Sequence, residues 1–253
     1  MSKQAALNIL SNTFTSPFDE SQFTLFMRNF LNEFDESKYF DLYGSYIPNA
    51  FKGHVKRYKR LGTYTDPQGS KLDILIVQLA RHASLWRART TQRNFVAWHL
   101  KKRGKDAALV AYHTDDLEDW RFSFVRMEYH QDVDESGKVF VNQELTPARR
   151  YSFLVGKNEP SHTAQAQLLP LLEDFERNPT IDEIEKAFSV ETVTDRFYKE
   201  YRGLFEQLTQ ELELIREEYK AVREEFQGKS IDTANFSKKL LGQISNFRLG
   251  NCM

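Results

Sequence analysis

Between Arg81 and Lys105 the chain carries eight lysines and arginines and no acid. Arg89 and Arg93 stand four residues apart, so on a helix they share one face, with Gln92 beside them. Guanidinium and amide groups in that arrangement can grip phosphate oxygens and can also hydrogen-bond base edges. Arg81, Arg87, Lys101, Lys102 and Arg103 extend the charge to either side. A second basic run, Lys52-Gly-His-Val-Lys-Arg-Tyr-Lys-Arg60, sets Lys56 and Arg57 next to Tyr58, a pattern suited to tracking a nucleic-acid backbone. Each segment has another reading. The arginines can instead pair with Asp115, Asp116, Glu118 or the acidic C-terminal helix, and the second run can be a solvated helix face.

For catalysis the pattern to test is a metal-dependent nuclease centre of the PD-(D/E)XK type. That chemistry needs an acid on one strand, then an acid and a lysine two apart on the next, to hold a divalent cation and activate water. Asp73, at the head of an apolar run, suits the first role. The end of the run, Val77-Gln-Leu-Ala80, puts Gln78 and Ala80 where the acid and lysine belong. Glu128 is available later, but no lysine follows two residues on. The signature is incomplete, and Mg²⁺ enters only if this reading holds. The other reading of Asp73 is a buried acid capping its own turn. The six histidines (His54, His82, His99, His113, His130, His162) show no metal-ligand spacing. Nucleophile-elbow, Walker and dinucleotide glycine patterns do not occur. Ser161, His162 and Thr163, after the loop Gly156 to Pro160, can bind an anion at a helix start or merely cap it.

These residues need a scaffold, and the apolar pattern supplies one. Phe23, Phe26, Met27, Phe30, Leu31 and Phe34 fall at helical spacing, and a second helix is expected from Asn49 to Arg60. A hairpin follows, with Arg60 to Thr65 and Leu72 to Leu79 as strands around Asp66-Pro-Gln-Gly69. A helix is expected from Ser84 to Arg103, packed through Leu85, Ala88, Phe95 and Leu100 and ended by Gly104. Strands then cover Ala107 to His113, Trp120 to Tyr129, Val139 to Leu145 and Arg149 to Val155, with a polar turn at Asp132 to Lys138. Helices cover Ser161 to Glu173 and Ile181 to Phe188. A long helix from Glu191 to Gln227 carries a seam of Phe197, Tyr201, Leu204, Leu208, Leu212, Ile215, Tyr219, Val222 and Phe226. The expected class is α+β: a mixed, mainly antiparallel sheet of about five strands, then a helical extension. The expected division is 1–180, a basic α+β domain, and 181–253, the extension.

The net charge of −1 over 253 residues conceals a separation of charge. Residues 51–105 hold 14 basic side chains against Asp66 and Asp73, whereas residues 171–226 hold 16 acids against 8 basic groups. A basic surface on the first half is implied. Cys252 is the sole cysteine, which rules out an internal disulfide framework and a thiolate metal cluster. No apolar run approaches the ~20 residues that span a bilayer, and the N-terminus has no clean signal layout, so a cytoplasmic protein without a membrane partner is expected.

Several strings in order resemble a known family. They are Leu72-Asp-Ile-Leu-Ile-Val, Arg87-Ala-Arg-Thr-Thr-Gln-Arg-Asn-Phe95, Asp119-Trp-Arg-Phe-Ser-Phe124 and Thr146-Pro-Ala-Arg-Arg-Tyr-Ser-Phe153. Gly156-Lys-Asn-Glu-Pro, His162-Thr-Ala and Ala187-Phe-Ser-Val-Glu-x-Val-Thr-x-x-Phe197 complete the set. Together they resemble the amino-terminal region of type IIG-like restriction–modification enzymes, long polypeptides that join such a region to an adenine-specific DNA methyltransferase. The methyltransferase's cofactor-binding glycine motif and its Asn-Pro-Pro-Tyr-type motif do not occur here. The resemblance therefore implies a DNA-associating N-terminal domain without methyltransferase activity of its own. Its implied partners are DNA and the methyltransferase portion of the same polypeptide. Alternatives are a divergent metal-dependent endonuclease, and a docking or dimerisation module built on the long helix.

Overall fold

The computed structural model describes residues 2–81, 83–85, 87–133, 139–145, 151–174 and 177–250. His82, the centre of the turn at 134–138, residues 146–150 of the Thr146–Phe153 string and Cys252 lie outside them. The chain divides into two compact units, Met1–Val190 and Glu191–Met253.

The first unit is α+β. Its elements run α1 (Lys3–Phe14), α2 (Glu20–Phe30), β1 (Phe40–Tyr43), β2 (Val55–Thr65), β3 (Lys71–Leu79), α3 (Arg89–Arg103), β4 (Ala107–His113), β5 (Asp119–Val133), β6 (Val139–Leu145), β7 (Ser152–Gly156), α4 (His162–Glu173) and α5 (Ile181–Phe188). The sheet follows the order β1 to β6, with β7 pairing on β5. Every pairing is antiparallel except β3 with β4, which α3 connects. Seven strands replace the expected five or so, chiefly because the first half is less helical than its pattern suggested. Residues 49–51 form only a 3₁₀ turn, and Lys56 and Arg57 lie on a strand rather than a helix.

β3 shows why the sheet sits where it does. Its side chains alternate between two cores, as strand geometry requires. Leu72, Ile74 and Ile76 join a cluster with Phe14, Phe23, Phe26 and Phe30 of α1 and α2, and with Trp120, Phe122 and Phe124 of β5. Leu75, Val77 and Leu79 join Phe95, Val96 and Leu100 of α3 on the other face. In the first cluster Phe122 meets Phe14, Phe23, Phe26 and Phe188 at centroid distances of 5.0–5.8 Å. Burial stabilises by roughly 1.5–3 kcal/mol per ring. α5 belongs to this core through Ile181, Ile184 and Phe188, so the first unit runs past the boundary expected at 180.

The long helix is interrupted. α6 (Val190–Glu218) gives way at Tyr219, whose backbone is extended, and α7 (Lys220–Gly228) and α8 (Thr233–Gly250) follow. Tyr201, Phe205, Leu208 and Leu212 are half-buried on α6, while the expected seam residue Leu204 is 56% exposed. Among the described residues no helix is long and apolar enough to cross a membrane.

Gly156 ends β7 at φ 136°, and a Cβ there would stand 2.5 Å from the Glu118 carbonyl oxygen. Gly156→Ala is expected to destabilise the first unit by about 2 kcal/mol or more, measured by urea denaturation, since both the backbone region and the space exclude a side chain.

Candidate functional site

α3 begins later than the pattern indicated, at Arg89 rather than Ser84. A helix would offer the Leu85 carbonyl to the Arg89 N–H. Instead Arg121 of β5 captures that carbonyl, its Nε donating at 3.0 Å and its Nη2 at 2.5 Å. Arg121 Nη1 donates to Ser152 Oγ at 3.1 Å. Alternation along β4 and β5 turns Tyr112, Arg121 and Ser123 toward α3, where Tyr112 donates to the Gln92 carbonyl at 3.1 Å.

The result is a concentration of positive charge around a small cavity of about 10 Å³, lined by Arg89, Gln92, Arg93, Tyr112, Arg121, Ser123 and Tyr151 among others. Arg121 is 3% exposed, and its hydrogen-bond acceptors are neutral. Burial, and then the nearby Arg89 charge, push its pKa down to about 10. Arg89 Nε is buried with no partner among the described residues. Gln92 donates to the Ser84 carbonyl at 3.2 Å but leaves its buried Oε1 unbonded. It is 1% exposed, not the open neighbour of Arg89 and Arg93 that the spacing suggested. Arg93 reaches Asn94 at 3.2 Å. The first turn of α3 has neither an acid nor a side-chain cap. Helix dipoles favour anions at that end, so arginines there leave a field that an oxyanion would relieve.

The ten expected DNA-contacting residues do not form one surface. Arg81, Arg87, Arg89, Gln92 and Arg93 gather between β3 and the start of α3. Lys101, Lys102 and Arg103 stand at the other end of that helix, ~20 Å away at 1.5 Å per residue, where they suit the dipole. Lys102 lies 5.1 Å over the Trp98 ring and Arg103 5.1 Å over Phe40. On β2, Lys56 pairs with Asp115 at 3.0 Å and Arg57 pairs with Asp41, so these two are ion-paired on a strand and do not form the solvated helix face considered for them. Arg121 is the residue that periodicity missed. Its signal was a charged side chain at an inward position of Trp120-Arg-Phe-Ser-Phe.

Asp73 is 0% exposed, and both its oxygens are engaged. Thr63 Oγ1 donates to Oδ1 at 2.6 Å, and His99 Nε2 and Arg60 Nη1 donate to Oδ2 at 2.8 and 3.2 Å. Lys105 Nζ stands 4.0 Å away. These partners come from β2, α3 and the residue region just beyond α3, so Asp73 does not cap its own turn. Glu128 is exposed beside Arg126 at 3.2 Å. Asp73 shares its sheet face with Leu75 and Val77, and Met127 packs in that same cluster, so Glu128 projects from the opposite face. The two nuclease candidates are thus not brought together. Opposite Gln78 on β2 stands Arg57, not an acid. Among the described residues no group of three His, Cys, Asp or Glu side chains is placed to hold a metal ion. Ser161 is buried at the start of α4, its Oγ accepting from Gln165 at 2.8 Å and making no cap bond to the helix.

No family model matches the chain, and neither a curated protein nor a solved structure matches it.

The Asp73 cluster has a definite pH signature. Burial opposes the charged carboxylate, but His99, Thr63 and Arg60 outweigh it and hold the Asp73 pKa below the ordinary 3.8. Burial pushes His99 below 6.5 despite the carboxylate that pulls it up, so its imidazole is neutral at pH 7. With a depressed folded pKa, the unfolded chain takes up the proton first, and stability falls as pH drops below 6.5. Asp73 adds a second loss below 3.8 as pH passes through its lowered value. His99→Gln is expected to flatten the first loss in urea titrations at a series of pH values, leaving the part due to His113, which burial also lowers. Asp73→Ala strands Arg60 and Lys105 and is expected to cost about 3–5 kcal/mol at pH 7.

Proposed function

We propose that the first unit is a DNA-associating module of a restriction–modification polypeptide that holds backbone phosphate at the start of α3 and has no catalytic centre of its own. The observation that carries this reading is Arg121, a buried guanidinium hydrogen-bonded only to neutral acceptors, with Arg89 beside it. Glu159 acts on Arg121 only through space, and a phosphate oxygen held at the half-buried Arg89 and Arg93 would add counter-charge to the group. Exposed Arg81 and Arg87 lie in the segment that leads into α3 and add positive charge at the surface, where it would steer a polyanion.

The strings behind the family resemblance support the same reading. Arg87 to Phe95 supplies the arginine rim and Gln92, Asp119 to Phe124 supplies Arg121 and Ser123, and the Thr146–Phe153 string contains Ser152, which Arg121 grips. Three of the seven strings that carry the resemblance therefore contribute to this site. By the same resemblance, methylation belongs to a separate portion of the polypeptide.

Duplex binding followed by fluorescence anisotropy across a salt series tests the reading. Log K is expected to fall linearly with log salt, each phosphate contact contributing about −0.9 to the slope. Arg89→Gln with Arg93→Gln is expected to weaken binding to all sequences alike and to reduce the slope by about 1 per lost contact. Arg121→Lys, which keeps the charge but not the forked donors, is expected to weaken binding as well. Unchanged affinity and slope in the Arg89/Arg93 double variant would remove the proposed site.

A further inference from the structure

The opposite face of the same sheet end holds a larger cleft, of about 300 Å³, which the phosphate site does not use. Three neighbouring strands set a polar row along it. Arg57 of β2 stands opposite Gln78 of β3, and Gln78 stands beside His113 of β4. Ile76, Phe18 and Leu117 give it apolar walls, and Asp19, Glu20 and Lys59 complete the rim. Phe18 stacks on the His113 ring at 4.7 Å and 9°. Leu117 holds φ 59°, a strained value for a branched residue, while its carbonyl accepts from the Phe18 N–H at 2.6 Å.

The cations around the cleft are already paired, and Asp19 caps α2 by accepting from the Gln22 N–H. Arg57 is bound by Asp41, Lys59 by Glu20 at 2.5 Å, and Asp115 by Lys56 and the Gln78 amide. What remains is a set of acceptors. His113 Nδ1 donates to the Thr114 carbonyl at 2.9 Å, so on a neutral ring Nε2 carries the lone pair. Gln78 Oε1 and Glu20 Oε1 likewise have no bonded donor among the described residues. Apolar walls, cations already paired with carboxylates and a set of acceptors along the rim select a flat molecule without negative charge and with N–H donors on its edge. We propose that this cleft takes an unpaired nucleobase bearing an exocyclic amine. The choice of a nucleobase among such molecules rests on the DNA-associating reading above. Adenine and cytosine carry a two-hydrogen amine at N6 and N4, whereas an unpaired thymine offers a single N3–H flanked by the O2 and O4 carbonyls, which the acceptors of the cleft repel.

Two measurements on the whole chain test this. In NMR titrations with phosphate-free nucleosides, deoxyadenosine and deoxycytidine are expected to shift the His113 ring signals and thymidine to leave them in place. In anisotropy, single-stranded homopolymers of deoxyadenosine or deoxycytidine are expected to bind about fivefold more tightly than deoxythymidine homopolymer, the worth of one hydrogen bond of about 1 kcal/mol. His113→Phe, which keeps the stack on Phe18, is expected to abolish that preference, and so is Gln78→Leu. Equal binding of all three homopolymers by the wild type, or a preference that survives both substitutions, overturns the proposal while the phosphate reading stands. Nucleoside shifts at His113 without any homopolymer binding would sink the DNA reading and leave the cleft's selectivity intact.

Discussion

Burial of β3 on both faces is the constraint from which the rest of the first unit follows. A strand with Leu72, Ile74 and Ile76 on one side and Leu75, Val77 and Leu79 on the other must be covered twice. α1, α2, α4 and α5 contribute to the cover of one side and α3 to the other. Only one inward position on β3 is charged, Asp73, and its neighbours are chosen accordingly. Arg60 and Lys105 balance the charge, and Thr63 and neutral His99 satisfy its oxygens. A carboxylate so enclosed fixes the position of α3 against β2 and β3 through His99, because removing either partner leaves a buried polar group unmet.

Once α3 is fixed at its C-terminal half by His99, its N-terminal end is set by a different residue. Arg121 draws the Leu85 carbonyl out of the helix, so α3 starts at Arg89 and presents its first turn to the end of the sheet. The two buried polar groups therefore act oppositely. Asp73 is neutralised within the fold and contributes order. Arg121 is hydrogen-bonded only to neutral acceptors among the described residues, and Glu159 acts on its charge through space without a direct ion pair. That difference in how the charge is met, rather than any difference in burial, separates the Asp73 cluster from the proposed phosphate site.

The strands from β3 to β6 and the helices α4 and α5 were legible because their patterns have one period and plain boundaries. Thr180, for instance, forms a capping box with Glu183 at the start of α5. β1 and the first half of β2 were not legible. In Val55-Lys-Arg-Tyr58 the buried residues are three apart, which suits a helix, and the register shift between Val55 and Arg57 breaks the alternation that would mark a strand. At the site, the basic segment was legible as charge but not as geometry. The basic segment from Arg81 to Lys105, expected on a helix from Ser84 to Arg103, is divided by the length of that helix and by the pull on Leu85. Gln92 and Arg121 could not be placed from the local pattern, since each is buried by contacts to residues distant in sequence.

Strand alternation then explains why one edge can serve two purposes. β4 ends in Tyr112 and His113, and consecutive residues point to opposite faces. Tyr112 lines the arginine cavity and His113 the apolar cleft, with Arg121 and Trp120 of β5 directly paired to them. The pairing β3 with β4 is the parallel one, so both strands deliver their C-terminal ends here, and the connections that leave them part to either side. Crevices outside the carboxyl ends of parallel strands are where open sheets bind ligands. Here the sheet end has a cationic cavity on one face and an acceptor-lined cleft on the other. Such a division matches the two chemistries of a nucleotide, whose phosphate needs donors and charge and whose base needs apolar walls and a few directed acceptors.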